Sequence, residues 1–294
     1  MAIGWIYLKY LHSRGILSKR NMKILDIGCQ NLFSIPEDEG LSFVLEHRVD
    51  DGGEQVRDAI RQLAARSTWP RGIGEPVYFF EFATLCGLDY LAYDIFPGEK
   101  IKIFDLNRDS VPEHHRGRFD CVFNFGTTEH VFNQFNAFKV IHDLTRVGGH
   151  MFHQVPTAGY INHGYWVYSP RVFLELAQAN NYEVSAFWIT GPQGTSLIEN
   201  EARAPALVWD DSLPENARLG WQQNPVPNAL INALLLKKGR EEFRLVLDTT
   251  TSNKAPEPAL AGGYDTPRLH RSPAVMLRKA RRFIPRVRLS AIRR

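Results

Sequence analysis

Acidic residues follow short apolar runs at three places in the first half of the chain. These residues are Asp26, Asp94 and Asp105. A carboxylate only accepts hydrogen bonds, so it suits a vicinal diol or an exocyclic amine. The carboxyl ends of strands in an open α/β sheet share one edge, which is where such sheets bind ligands. The spacing therefore predicts a nucleotide-type ligand site at that edge.

A second polar group follows the run Phe119–Asn133 (FDCVFNFGTTEHVFN). Glu129 stands here as a candidate contact for a cofactor or an acceptor. Three histidines of this region are candidate general bases, because imidazole titrates near neutral pH; they are His130, His153 and His163. Each has a structural alternative, respectively packing or cofactor contact, a core position on a strand, and a loop position. Aromatic side chains could line an acceptor pocket or belong to the core; they are Tyr160, Tyr165 and Trp166.

Alternating strand and helix patterns must position these residues, and they predict a largely parallel sheet. The seven predicted strands are Met22–Ile27, Tyr90–Ile95, Lys100–Phe104, Phe119–Phe125, His150–Val155, Tyr182–Ile189 and Asn228–Leu236. The predicted helices are Pro76–Cys86, Asn136–Arg146 ended by Gly148–Gly149, and Pro170–Asn180 capped by Ser169. The fold class is thus α/β and Rossmann-like, with an antiparallel last strand and helices on both faces.

Two long segments interrupt this pattern, at about 33–74 and 191–227. Both leave from the carboxyl edge of the predicted sheet, and long loops in compact domains are usually functional or disordered, so they are candidates for a substrate lid. The expected organisation is an N-terminal helical extension (1–20), one domain (21–239), a linker (240–267) and a tail (268–294).

The tail carries a charge opposite to that of the body. Ten of the 35 Lys and Arg residues lie in 268–294, which has no acidic residue, so 25 basic and 32 acidic residues remain before it. The tail could be solvated and disordered, or it could contact a membrane surface or an acidic partner through an amphipathic helix. Nucleic acid is the weakest option, because the body offers no basic face interleaved with aromatic residues.

Composition narrows the class of protein further. No apolar run reaches the roughly 20 residues of a membrane-spanning helix. The start of the chain lacks a signal-peptide cleavage pattern. The three cysteines form no CxxC or metal-binding spacing and suit a reducing compartment, so no metal site is predicted and a cytoplasmic location is expected.

Between residues 20 and 238 the motifs resemble, in order, the class I S-adenosylmethionine-dependent methyltransferases, and among them bacterial proteins with a GTTEHVFNQ-type fourth strand. Asp26-Ile27-Gly28-Cys29 looks like the first motif, although Gln30 and Asn31 replace the later glycines of GxGxG. The resemblance implies S-adenosylmethionine as cofactor. It also implies transfer to a small molecule or a glycan unit.

The resemblance implies a role for each matched residue. The turn at Gly28 and Cys29 would approach the methionine end of the cofactor, and Asp94 would accept both ribose hydroxyls. Asp105, with Leu106 after it, would receive the adenine amino group. The stretch after the fourth strand would flank the methionine and the methyl group; it comprises Asn124, Phe125, Gly126 and the EHV residues that begin at Glu129. A cationic sulfonium also suits an acidic, aromatic pocket.

Two other functions stay open at this point. A nicotinamide-dependent oxidoreductase could use the same kind of sheet, but the GxGxxG turn that holds a pyrophosphate is absent because only Gly28 is present. A non-catalytic binding protein could combine a degenerate first motif with recruitment by the basic tail. The sequence does not identify the methyl acceptor.

Overall fold

A computed structural model describes residues 2–48, 52–68, 76–161, 163–191 and 228–247. The strands are β1 (Ala2–Gly4), β2 (Lys23–Ile27), β3 (Asn31–Phe33), β4 (Asp89–Asp94), β5 (Ile101–Ile103), β6 (Phe119–Phe125), β7 (Thr145–Ala158), β8 (Tyr182–Thr190) and β9 (Ala229–Lys237). The α-helices are α1 (Trp5–Ser13), α2 (Glu37–Glu46), α3 (Gly53–Arg66), α4 (Phe79–Leu85), α5 (Gln134–Leu144) and α6 (Pro170–Ala179). Short 3₁₀ turns occupy Glu113–His115 and Thr128–His130.

Seven strands form the main sheet in the order β5-β4-β2-β6-β7-β9-β8. The neighbours from β5 to β7 are parallel, whereas β9 runs antiparallel to both β7 and β8. β9 follows β8 along the chain but is inserted between β7 and β8 in space. The predicted fold class, a mostly parallel sheet with an antiparallel last strand, is confirmed.

The chain order places the first strand at the centre of the parallel part of the sheet. In β2, Asp26 aligns with Ala92 of β4 on one side and with Phe123 of β6 on the other. The residues that follow β2, β4 and β6 therefore leave from the same edge of the sheet. This edge carries most of the predicted site.

Side chains on alternate positions of the central strands pack into two cores, one on each face. Ile24 of β2 and Phe123 of β6 belong to the core covered by α1 to α4, whereas Leu25 and Val122 belong to the core covered by α5 and α6. All four side chains are almost completely buried. Burial on both faces explains why these strands are continuous apolar runs.

The end of α5 differs from the prediction. The helix ends at Leu144, and Thr145 already begins β7, so Gly148 and Gly149 lie within the strand region and do not terminate the helix. The Thr145 hydroxyl donates to the Ile141 carbonyl oxygen at 2.7 Å, which helps to satisfy the last turn of the helix. The register between β6 and β7 shifts between Phe119 and Cys121, next to these glycines.

Ser169 caps α6, as predicted. Its hydroxyl accepts a hydrogen bond from the Arg171 backbone N–H at 3.3 Å, and Pro170 opens the helix. Asn180 ends it and donates through its side-chain amide to the Leu176 carbonyl oxygen. The helix is thus followed directly by β8.

The segment at 33–74 contains α2 and α3, so its described part is largely helical. It packs on the N-terminal helix, where the Trp5 indole N–H donates to Glu39 at 2.6 Å and the Lys9 ammonium lies 3.0 Å from the same carboxylate. β1 also pairs with β3, which follows directly from the first turn. A lid role for this segment stays a prediction.

The second predicted insertion, 191–227, and the basic tail, 268–294, lie outside the described residues except for residue 191. In the described part of the chain, no helix combines the length and apolar character required to cross a bilayer.

Candidate active site

The turn after β2 contains the first group of predicted site residues. Gly28 has φ +85°, a conformation that residues with a Cβ atom rarely adopt. A Cβ atom at this position would lie 2.6 Å from the Thr127 hydroxyl oxygen. That hydroxyl donates to the Ile27 carbonyl oxygen, so the loop after β6 is fastened to the turn. The glycine is required both by its backbone conformation and by this close approach.

Three successive backbone N–H groups of the turn are occupied by acceptors within the protein. The Gly28 N–H donates to the Tyr93 carbonyl oxygen at 2.8 Å, and the Cys29 N–H donates to Asp94 at 2.8 Å. The Gln30 N–H donates to Asp26 at 3.2 Å. A pyrophosphate site would need free N–H groups here, and the nearby Asp94 carboxylate would repel it. The turn therefore does not fit a dinucleotide phosphate.

Asp26 supports the turn from below. It is fully buried, and its Oδ2 accepts hydrogen bonds from Gln30 and from the Tyr90 hydroxyl at 2.9 Å. Burial raises the pKa of this carboxyl well above its usual range. Its Oδ1 is buried and has no hydrogen-bond partner among the described residues. The placement favours the role of a brace for the turn.

Cys29 contributes its backbone to the site. Burial raises the pKa of the half-buried thiol to about 11, so the thiolate is scarce at neutral pH. Its N–H fixes Asp94, whose other carboxylate oxygen accepts from the Phe96 N–H at 3.1 Å. Each oxygen of Asp94 retains a further lone pair. The carboxylate is thus oriented and can still accept hydrogen bonds from a ligand.

Asp105 lies in the loop after β5, two strands away from the first turn. Its Oδ1 accepts from the Asn107 N–H at 2.8 Å, and its side chain is 40% exposed. Arg108 approaches its other oxygen at 3.9 Å. Leu106 beside it is buried in the core under α5 and α6. Asp105 is therefore available to a ligand, on a loop held by an Asx turn.

The stretch after β6 acts mainly through its backbone. Asn124 is completely buried, and its side chain bonds the N–H groups of Thr127 and Thr128 at 3.4 and 3.2 Å. Phe125 is also buried in the core, and Gly126 has φ +69° while its N–H donates to Gln154. The sequence motif here specifies the shape of a loop more than a set of ligand contacts.

Glu129 lies where the loop after β6 meets the loop after β7. Its backbone oxygen accepts from the N–H groups of Tyr165 and Trp166, and Gly164 permits this contact because a Cβ atom would lie 2.8 Å from the same oxygen. The side chain is 1% exposed, and Oε2 has no hydrogen-bond partner in the described part of the chain. Burial raises the pKa of the carboxyl to about 7.

The three candidate histidines separate into two locations. His130 and His163 are exposed and lie against each other, with ring centroids 4.9 Å apart in an edge-to-face arrangement. The His163 Nε2 atom lies 3.9 Å from Oε1 of Glu129. His153 is buried on β7, where it contacts the Asn124 amide at 3.1 Å, and burial lowers its pKa to about 3. This placement favours the structural alternative for His153.

Residues outside the sequence motifs also border the site. Tyr7 of α1 is buried, and its ring lies 6.0 Å from that of Phe125 at the end of β6. Tyr160 has φ +51°, and its ring lies 5.3 Å from that of His163. The sequence analysis missed Tyr7 because it placed the first 20 residues in a separate extension. The only signal was an aromatic residue in an apolar helix, which is typical of core packing.

Comparisons with known proteins agree with this geometry. A family model described as a methyltransferase domain matches residues 7–197. The chain therefore belongs to the methyltransferase domain family. A search of curated proteins found no match.

Solved structures resemble the chain in fold. Phosphoethanolamine N-methyltransferase 2 of Haemonchus contortus, in complex with S-adenosyl-L-methionine, has 13% identity and a TM-score of 0.42; 80% of this chain and 53% of that chain are covered. The chain thus spans about half the length of that protein. 1,6-Didemethyltoxoflavin-N1-methyltransferase of Burkholderia thailandensis has 12% identity and a TM-score of 0.37, with 79% and 76% covered. A SAM-dependent methyltransferase from Archaeoglobus fulgidus has 12% identity and a TM-score of 0.38, with 78% and 93% covered.

Family membership confirms that the chain contains a methyltransferase domain, as the sequence motifs predicted. The occupied N–H groups of the first turn argue independently against the nicotinamide-dependent alternative.

Proposed function

We propose that the chain transfers the methyl group of S-adenosylmethionine to a hydroxyl or amine of a small molecule or glycan unit. When bound, this cofactor supplies an electrophilic methyl group on a cationic sulfur. The fit of the site rests on the glycine turn and on the oriented carboxylate of Asp94, which would accept the ribose hydroxyls. Asp105 would accept the adenine amine from its partly exposed position.

The observation that supports a small acceptor is the polar cluster around the buried carboxylate of Glu129. Tyr160, His130 and His163 lie close to this residue, and the loops after β6 and β7 hold them together. The cluster lies two residues from Thr127, which contacts the cofactor turn. A hydroxyl or amine of an acceptor can form hydrogen bonds here. A carboxylate whose pKa is about 7 can also take a proton near neutral pH.

Aromatic side chains next to the cluster would contact the rest of the acceptor. Phe132 and Tyr165 are each 72% exposed, and their rings lie 6.1 Å apart. Trp166 packs against Phe132 and donates through its indole N–H to the Val131 carbonyl oxygen. Exposed aromatic rings beside a buried polar cluster are typical of ligand pockets.

The acceptor class can be tested with S-adenosylmethionine labelled in its methyl group. The purified chain is incubated separately with the ultrafiltrate and with the macromolecular fraction of a cell extract. We expect label in small molecules or free glycans of the ultrafiltrate, together with S-adenosylhomocysteine. Label confined to protein or nucleic acid would contradict the proposed acceptor while leaving the enzyme class intact.

Two variants control for contaminating activity. Asp94→Ala removes the carboxylate that the cofactor ribose would bind and should abolish labelling. Asp89→Ala removes an exposed carboxylate at the opposite end of the same strand and should leave labelling unchanged.

Two proposals rest on the sequence alone: a cytoplasmic location, and contact of the tail with a membrane or an acidic partner. Removal of residues 268–294 should leave cofactor binding unchanged, and a loss of vesicle binding would support the membrane contact.

A further inference from the structure

Three side chains of types that commonly bind metal ions converge beside the proposed acceptor position. They are Glu129, His130 and His163, and one ligand atom from each lies within 4.8 Å of the other two. Glu129 and His130 belong to the 3₁₀ turn after β6, and His163 belongs to the loop after β7. The backbone bonds from Tyr165 and Trp166 to Glu129 hold the two loops in this arrangement.

One buried oxygen of this cluster lacks a hydrogen-bond partner among the described residues. Oε2 of Glu129 is buried without a hydrogen bond, and Oε1 lies 3.9 Å from His163 Nε2, which is too long for one. A buried carboxylate oxygen without a partner is costly, and buried carboxylates are usually paired with a cation or bound to a metal. No Lys or Arg in the described part of the chain forms an ion pair with Glu129.

We propose that Glu129, His130 and His163 bind a divalent first-row transition metal ion, of the Zn²⁺ or Mn²⁺ type. One carboxylate oxygen and two imidazole nitrogens are ligands that these ions accept. Tetrahedral coordination would place the ligand atoms about 3.4 Å apart. The observed separations are up to 4.8 Å, so the ligands must move inward by about 1 Å. The two histidines are exposed and can rotate, whereas Glu129 is fixed in the interior.

Three protein ligands leave at least one coordination position open. This part of the inference rests on the proposed function: the open position would bind an oxygen of the acceptor. With Glu129 bound to the metal ion, the carboxylate would not act as the base; coordination would lower the pKa of the hydroxyl, and its proton would pass to solvent water. The oxygen that remains is a stronger nucleophile for the methyl group. The cluster would then both position and activate a hydroxyl acceptor.

The site is tested by metal binding to the full-length chain after dialysis against a chelator. Zn²⁺ binding is measured by competition with a chromogenic chelator, and Mn²⁺ binding by electron paramagnetic resonance. We expect one ion per chain with a Kd of about 10 μM or tighter for at least one of the two metals. Absence of binding by both metals to the folded chain would overturn the proposal.

Variants locate the bound ion. Glu129→Gln keeps the size of the side chain but removes the charge, and His163→Ala removes an exposed imidazole. Each should weaken metal binding by at least about 100-fold, because loss of a ligand should cost no less than loss of a supporting residue. His114→Ala removes an exposed histidine of the turn before β6 and should bind metal as the unmodified chain does. Unchanged binding in Glu129→Gln and His163→Ala would overturn the proposal.

Two further readouts separate this inference from the proposed function. Far-ultraviolet circular dichroism verifies that the variants are folded. Binding of S-adenosylhomocysteine to the unmodified chain is measured in parallel. If this ligand binds but neither metal does, the metal site is wrong and the methyltransferase assignment stands. If metal binds at the cluster but the nucleoside ligand does not, the metal site stands and the assignment of the cofactor site is wrong.

Discussion

Replacement of Gly28 by alanine tests whether the first turn is built as described. Alanine at φ +85° costs about 1–2 kcal/mol of folding free energy. The new Cβ atom would also lie 2.6 Å from the Thr127 hydroxyl, which must move. Its hydrogen bonds with the Ile27 carbonyl oxygen and the Gln30 amide are then disturbed, at about 1 kcal/mol each. The expected loss of stability is about 3–4 kcal/mol.

Gly117→Ala is the matched control. Gly117 has φ +61°, but a Cβ atom there would meet no other atom within 4 Å. The Gly117→Ala variant should lose only the folding free energy that the unfavourable backbone conformation costs, about 1–2 kcal/mol.

Urea unfolding of both variants measures the difference, and calorimetry with S-adenosylmethionine measures its effect on the site. We expect Gly28→Ala to be about 2 kcal/mol less stable than Gly117→Ala, since two hydrogen bonds are disturbed in addition. Its cofactor affinity should fall, because the turn carries the N–H that orients Asp94. Equal stability of the two variants, with cofactor affinity retained in both, would refute the close contact between the turn and the loop after β6.

Three further predictions concern the carboxylates and the buried histidines. Asp94→Ala should weaken S-adenosylmethionine binding by about 100-fold or more, because it removes two hydrogen bonds to a charged acceptor at about 1.5–3 kcal/mol each, whereas Asp89→Ala should leave calorimetric affinity unchanged. Asp105→Ala should weaken the same binding by only about 10-fold, because its half-exposed carboxylate competes with water; a loss as large as that of Asp94→Ala would contradict this ranking. Burial lowers the pKa of His153 to about 3 and of His142 to about 4, below the unfolded value of 6.5. The neutral histidines therefore stabilise the fold fully above about pH 6.5. This stability is lost at lower pH, because the unfolded chain takes up protons there and the folded chain does not. Each histidine should lower the free energy of unfolding in urea by about 2 kcal/mol as the pH falls from about 7 to about 5. The free energy of unfolding of His153→Asn should depend less on pH than that of the unmodified chain. An equal pH dependence would indicate that His153 is not buried in its neutral form.

Much of the sheet is predictable from the sequence because its strands are apolar on both faces. β6 begins and ends at the predicted residues, and β2, β4 and β9 differ from prediction by one residue at each end at most. Such runs between polar turns carry a strong local signal. The position of β9 between β7 and β8 is a tertiary property, and the sequence analysis predicted only that the last strand is antiparallel.

The prediction for β7 was too short because its first residues are not apolar. Arg146, Gly148 and Gly149 read as the end of a helix and a turn, yet they extend the strand beside β6. Local glycine signals were outweighed here by pairing with a neighbouring strand, which the sequence does not display.

The site was predictable where a backbone turn requires a particular residue. The Cys29 N–H next to Gly28 donates to the Asp94 carboxylate, so the residues that follow two neighbouring strands meet at one edge of the sheet. The convergence of Glu129 with His163 was not predicted as a cluster, because the two residues come from different loops and their contact depends on Gly164. Tyr7 was missed for the same reason, since α1 reaches the site only through tertiary packing.

The central claim is tested most directly by calorimetry of the purified chain with S-adenosylmethionine and S-adenosylhomocysteine, with NAD as a control ligand. We predict binding of both sulfur compounds with Kd values of about 100 μM or tighter, and no binding of NAD. Binding of NAD in place of the sulfur compounds, or no binding of any of the three by the folded chain, would contradict the account of the site.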